Sequence, residues 1–188
     1  MKCFAAHGSS GASLRMVAAT AGVSVGLVQH HFGLKSALIA AVNEELVAIL
    51  AQAAPKSPPT GDTVADLKSR LTLLIAEHPD AVDYLARLLV DGQPSGRQVF
   101  DLLLGFGRSQ WGQLHSRSAF RGGGGQDEDS IWGALNPLIL ILGTLILRGH
   151  IDRQLPEPLD SPAQLRAWSA GLDDVIRGAR RRHPASAV

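Results

Sequence analysis

Ala12 to Leu38 reads ASLRMVAATAGVSVGLVQHHFGLKSAL, and its residues resolve into two short helices joined by a tight glycine turn. Ser13 is a helix N-cap, its hydroxyl placed to accept a hydrogen bond from one of the unpaired amides of the first turn. Leu14, Val17, Ala18 and Ala21 follow at helical spacing as one apolar stripe. Gly22 ends this helix, because glycine tolerates the left-handed conformation at a helix C-terminus, and Val23 is expected to fold back onto the stripe. Ser24 caps a second helix in which Val28 and Phe32, four residues apart, face the first and leave Val25, Gly26, Gln29 and His30 outward. The pair makes a helix-turn-helix, the unit that lays a helix in a DNA groove. On these residues alone it is equally any small helical hairpin.

The wider stretch from Phe4 to Glu45 resembles the N-terminal domain of the TetR family of transcriptional repressors. In that family a glycine-valine-serine turn precedes a short recognition helix ending in an aromatic-rich run. Here the run is Gln29, His30, His31 and Phe32, and Gly33, Leu34, Lys35, Ser36, Ala37 and Leu38 look like the start of the family's fourth helix with its lysine. The resemblance implies an all-α protein, with a helix-turn-helix DNA-binding domain over 1–52 and a helical ligand-binding and dimerisation domain over 62–188. It also implies a ligand-responsive regulator, a repressor, that binds a two-fold symmetric double-stranded operator as a homodimer and is released by a small, largely apolar effector.

The implied DNA-binding residues are Ser13, Arg15, Ser24, Val25, Gly26, Leu27, Gln29, His30, His31 and Lys35. Arg15 occupies a family position that touches guanine or phosphate. His31 and Lys35 resemble the family's backbone clamps, Lys35 meeting phosphate together with the free amides at its helix start. The sequence departs from the family pattern at Gln29, which replaces a tyrosine with an amide able to bond an adenine edge or a phosphate. The first helix, read as Met1 to His7, is barely two turns and shorter than the family's, so a truncated start is expected.

Composition agrees with such a protein. A chain of 188 residues accommodates a small head and a helical domain with its own core. The single Cys3 excludes an intramolecular disulfide framework and a cysteine-built zinc cluster, which suits a reducing cytoplasm. Net charge is only +1, and the first fifty residues carry Lys2, Arg15 and Lys35 against Glu44 and Glu45. Attraction to DNA is therefore weak per subunit and doubled by pairing, and only cations beside phosphates release counterions.

No enzyme, cofactor or metal is expected. His7, His30, His31, His78, His115, His150 and His183 are scattered, and the adjacent His30 and His31 point about 100° apart on a helix. Ser9 and Ser10 near His7 lack a nucleophile elbow. The Gly122 to Gly125 run lacks the GK[ST] ending and preceding strand of a phosphate loop, and reads as a hinge or a loop tip. Met1 to Gly11 lacks the apolar core of a signal peptide. The competing reading is a helical scaffold or small-molecule carrier that has lost DNA binding.

Beyond the head, Ala54 to Thr63 is proline-rich and polar and ends the fourth helix. Val64, Leu67, Leu71, Leu74 and Ile75 then repeat at helical spacing up to the break at His78 and Pro79. Further helices are expected at Ala81 to Val90, Val99 to Leu114, Asp129 to Gly149 and Pro162 to Arg181, with no strand pattern anywhere. Ile131 to Leu147 is 17 residues without a charge, at the lower limit for a membrane span. Interrupted by Asn136 and Pro137, it suits a buried helix better, so no membrane partner is expected.

That segment is apolar almost all round, so a partner chain is expected to cover it. The expected dimer interface is Ile131, Leu135, Leu138, Leu142 and Leu145 with Leu165, Trp168, Leu172, Val175 and Ile176 of the last helix; the alternative is an intramolecular core stripe. The expected ligand pocket is Leu85, Leu89, Leu103, Phe106, Gln110, Trp111, Asn136 and Ile139, of which Gln110, Trp111 and Asn136 bring polar atoms suited to orienting an apolar ligand.

Overall fold

The head is built from α1 (Lys2–Gly11), α2 (Leu14–Ala21), α3 (Val25–Phe32) and α4 (Lys35–Gln52). The structure, a computed structural model, describes residues 1–52, 71–118 and 128–181, apart from the side chains of 109–118, 128–130, 133, 173 and 175–181. After the head come α5 (helical residues 71–77), α6 (Pro79–Val90), α7 (Pro94–Ser118), α8 (Glu128–Ile146), α9 (Arg148–Ile151) and α10 (Pro162–Arg181). No strand occurs among the described residues, and the fold is all-α. The polar stretch Ala54 to Thr63 and the Gly122 to Gly125 run lie outside the described residues.

Several helices differ from their expected extents, and for α1 and α8 the backbone shows why. α1 continues past His7 to Gly11 by breaking at Gly8, where φ is 68° and ψ 171°, backbone angles essentially reserved for glycine. The Ala12 N–H closes this end by donating to the Gly8 carbonyl at 3.1 Å. α8 stops at Ile146 instead of running to Gly149, because Leu147 adopts φ −89° and ψ 3° and starts the short α9. Arg148 is then turned toward three carboxylates, Asp83 at 3.3 Å, Asp152 at 3.7 Å and Asp160 at 2.6 Å, which ties α6, α9 and the loop before α10 together.

One hydrophobic cluster runs from the head into the later helices, including Phe4, Val28, Leu46, Ile75, Tyr84, Leu88, Leu138 and Leu165. The most extensive interface between elements joins α1 to α6. Tyr84 of α6 is central to it: its ring lies 6.1 Å from that of Phe4, and its hydroxyl donates to Asn43 Oδ1 of α4 at 2.6 Å. The head and the later described helices therefore share a core, and α6 is the element that carries the head.

α8 sorts its apolar residues onto two opposite sides. Leu138, Ile141, Leu142 and Leu145, at helical spacing, are buried within this one chain. Leu165 and Leu172 of α10 are buried there as well, and the Trp168 Nε1–H donates to Thr144 Oγ1 at 3.2 Å. Expecting Leu138, Leu142, Leu145, Leu165 and Leu172 at a subunit interface thus needs correction: α6, α7 and α10 of the same chain supply enough protein to cover them. Ile131, Leu135 and Trp168 are half-buried, and the side chains of Val175 and Ile176 lie outside the described residues. The apolar residues that α8 leaves uncovered are Trp132, Ile139, Leu140 and Ile146, with Leu147 just beyond its end. None of the described helices is long and apolar enough to cross a membrane.

Candidate nucleic-acid interface

The turn between α2 and α3 is fixed by paired caps. Ser13 Oγ accepts from the Met16 amide at 3.2 Å, and Ser24 Oγ accepts from the Leu27 amide at 3.1 Å. Gly22 is left-handed at φ 68° and ψ 27°; its N–H donates to the Ala19 carbonyl at 3.2 Å, and the Val23 N–H donates to the Ala18 carbonyl at 3.0 Å. These two bonds satisfy carbonyls at the end of α2 and reverse the chain into α3, the geometry for which glycine is the favoured residue. Each cap contributes about 1 kcal/mol, so the corner is locally specified before any packing.

Packing then orients α3. Val28 is buried and Phe32 is half-buried against the core, while Gly26, Leu27, Gln29, His30 and His31 are exposed. Val25 departs from its expected outward position: it is half-buried against the core, because it shares the inward side of α3 with Val28 three residues on. The His31 imidazole meets the Phe32 ring edge-on, at 4.7 Å between centroids and 83° between planes, so the half-buried aromatic steadies the exposed histidine. Ser13, Arg15 and Ser24 are exposed on the same corner. Lys35, at the start of α4, is half-buried, and its Nζ donates to the Ser10 carbonyl at 3.1 Å. No sequence pattern signals this bond, because its partners lie 25 residues apart and one is a backbone carbonyl.

A second feature lies away from the head. A groove of about 570 Å³ opens between the C-terminal end of α6, the start of α7 and one flank of α8, with Leu89, Phe100, Ile139 and Leu142 as its apolar lining and Arg97 and Asp101 as its charged groups. Of the residues expected in a pocket, Leu89 and Ile139 line this groove. Leu85 is enclosed in the core, Leu103 packs half-buried against it, Phe106 is half-buried, and Asn136 is exposed on α8. The side chains of Gln110 and Trp111 lie outside the described residues. Arg97 escapes the sequence reading because α7 begins at Pro94, ahead of the expected start at Val99; Phe100 falls within the expected helix, but the pattern does not show that it lines a groove.

Residues 1–42 match the family described as bacterial regulatory proteins, tetR family. No curated protein matches the chain. The N-terminal part is a TetR-family helix-turn-helix domain, and it makes the protein a DNA-binding transcriptional regulator.

Proposed function

We propose that this regulator is a cytoplasmic repressor that binds a two-fold symmetric operator as a homodimer and is released by a small, largely apolar effector. The observation that carries the DNA-binding part is the orientation of α3: Val28 and Phe32 anchor it while Gly26, Leu27, Gln29 and His30 face solvent. A capped helix held this way can enter the major groove with its N-terminal residues toward the base edges. Pairing is supported by the exposed apolar residues Trp132 and Leu140 of α8 and Leu147 just beyond it, none of which lines the groove. Two such subunits present their recognition helices to successive major grooves, about 34 to 36 Å apart.

Release is supported by position. The groove is bounded by Leu89 and Gly92 at the end of α6, and α6 is the helix on which α1 of the head is packed. An occupant that shifts α6 changes the angle of the head and breaks the match to the operator. Selection of bound duplexes from a random pool tests this reading, since a repressor of this kind enriches an inverted repeat with half-sites about one helical turn, 10 to 10.5 base pairs, or a multiple of it apart. Enrichment of no duplex would leave the helical carrier as the better description.

A further inference from the structure

Leu27 is the third residue of α3 and is 54% exposed. With Val28 buried and Val25 and Phe32 half-buried, the helical repeat puts Gly26, Leu27 and His30 on the side of α3 directed away from the protein. The Leu27 amide is already used, donating to Ser24 Oγ at 3.1 Å, so what this residue offers outward is its isobutyl group. Beside it Gly26 presents no side chain, and a Cβ there would meet nothing closer than Ser24 Oγ at 4.0 Å, so nothing crowds this end of the helix.

A leucine side chain has no donor or acceptor and cannot read the N7, O6, N6 or O4 atoms of base edges, nor hold a phosphate. The major groove displays one apolar group among these, the 5-methyl of thymine. The N-terminal residues of a recognition helix are the ones that reach base edges. We propose that Leu27 reads thymine, packing its side chain on the 5-methyl group of one base in each half-site. The inference rests on the DNA-binding reading above and adds a base identity to it.

The test uses duplexes selected from a random pool by the full-length chain, with each thymine of the half-site replaced singly by deoxyuridine, which removes the methyl group alone. One position per half-site is expected to show a loss of about fourfold in affinity, the effect of one buried methyl. At that position Leu27→Ala binds the thymine and deoxyuridine duplexes equally, while melting at the wild-type temperature because the side chain is exposed. Where Leu27→Ala binds too weakly for comparison, a fresh selection with Leu27→Gln decides: the thymine is expected to disappear from the enriched half-site. The inference is overturned if no thymine shows a methyl penalty, if the penalty persists in Leu27→Ala, or if Leu27→Gln selects the same thymine. Failure of the wild type to enrich any duplex removes the DNA-binding reading and the inference together, whereas enrichment without a methyl-sensitive position removes the inference alone.

Discussion

Lys35 Nζ donates to the Ser10 carbonyl oxygen at 3.1 Å, fastening the first turn of α4 to the last turn of α1. The bond uses one of the three ammonium donors and leaves two for a phosphate. Lys35→Ala is therefore expected to act twice. It should lower stability by about 0.5 to 1.5 kcal/mol through loss of the bond to Ser10. It should also weaken binding to selected and scrambled duplexes alike, with the salt dependence falling by about one unit for each phosphate no longer neutralised. Titrations of both duplexes across a salt series check this; a weakening confined to the selected sequence would mean that Lys35 reads bases.

Arg15 is exposed on α2, the helix before α3. If it reaches a guanine edge, Arg15→Ala costs about 1 to 3 kcal/mol in operator affinity and relaxes selection at one position. Because the side chain is exposed, the melting temperature should stay near that of the wild type. Repeating the selection with the variant reads both effects, and unchanged affinity would place Arg15 off the DNA.

Gly8 carries the break in α1, and a Cβ there would lie 2.8 Å from Asp91 Oδ2 and 3.2 Å from Arg87 Nη2. Those two side chains pair with each other at 2.9 Å at the end of α6, and their tips must move aside, a small cost for partly exposed, flexible side chains. Gly8→Ala should destabilise by about 1 to 3 kcal/mol from backbone strain alone, with the collision added. Urea unfolding measures the total. Combining it with Asp91→Ala should recover only the collision, because φ at residue 8 remains positive.

Tyr84 is the only tyrosine of the chain, so its ionisation can be followed by ultraviolet absorbance without overlap from another. Its pKa is raised above the ordinary 10.0, first by burial and then by the negative charge of Asp91. The fold thus favours the neutral phenol. The stability this contributes is fully present below pH 10 and is lost as the pH rises through the folded-state value. Unfolding free energy should decline above about pH 10. Tyr84→Phe should remove this tyrosine's share of the decline while costing about 0.5 to 1.5 kcal/mol at neutral pH, since Asn43 Oδ1 loses its 2.6 Å donor. A Tyr84 titration midpoint at or below 10 would contradict the raised pKa.

What the sequence discloses follows from how local each feature is. The α2–α3 corner is readable because Ser13, Gly22 and Ser24 fix their own surroundings within three to five residues. The start of α10 is readable from Pro162, whereas α6 takes in Pro79, expected as a break, because proline suits the first turn of a helix. The buried side of α8 is not readable: its residues are apolar in nearly every direction, and only the placement of α6, α7 and α10 separates Leu142 from Leu140. The groove is only partly readable, since it depends on where α7 starts and on how α6, α7 and α8 meet.

That separation makes the dimer testable without destroying the fold. Leu142 is buried within the chain, so Leu142→Glu should unfold or aggregate it whatever its oligomeric state. Leu140 and Leu147 are seven positions apart and both exposed, and Leu147 is 52% exposed. Charge at these two sites removes little from the subunit's own core. If the uncovered side of α8 is covered by a second copy, Leu140→Glu with Leu147→Glu should give a folded, helical monomer. Its affinity for a whole operator should fall to that of a single half-site, because two linked heads gain an effective concentration that separate heads lack. Sedimentation at micromolar concentration and binding to whole and half operators decide the matter. A double variant that remains a dimer would remove α8 from the interface, whereas a wild type that sediments as a soluble monomer would remove the paired-groove mechanism itself.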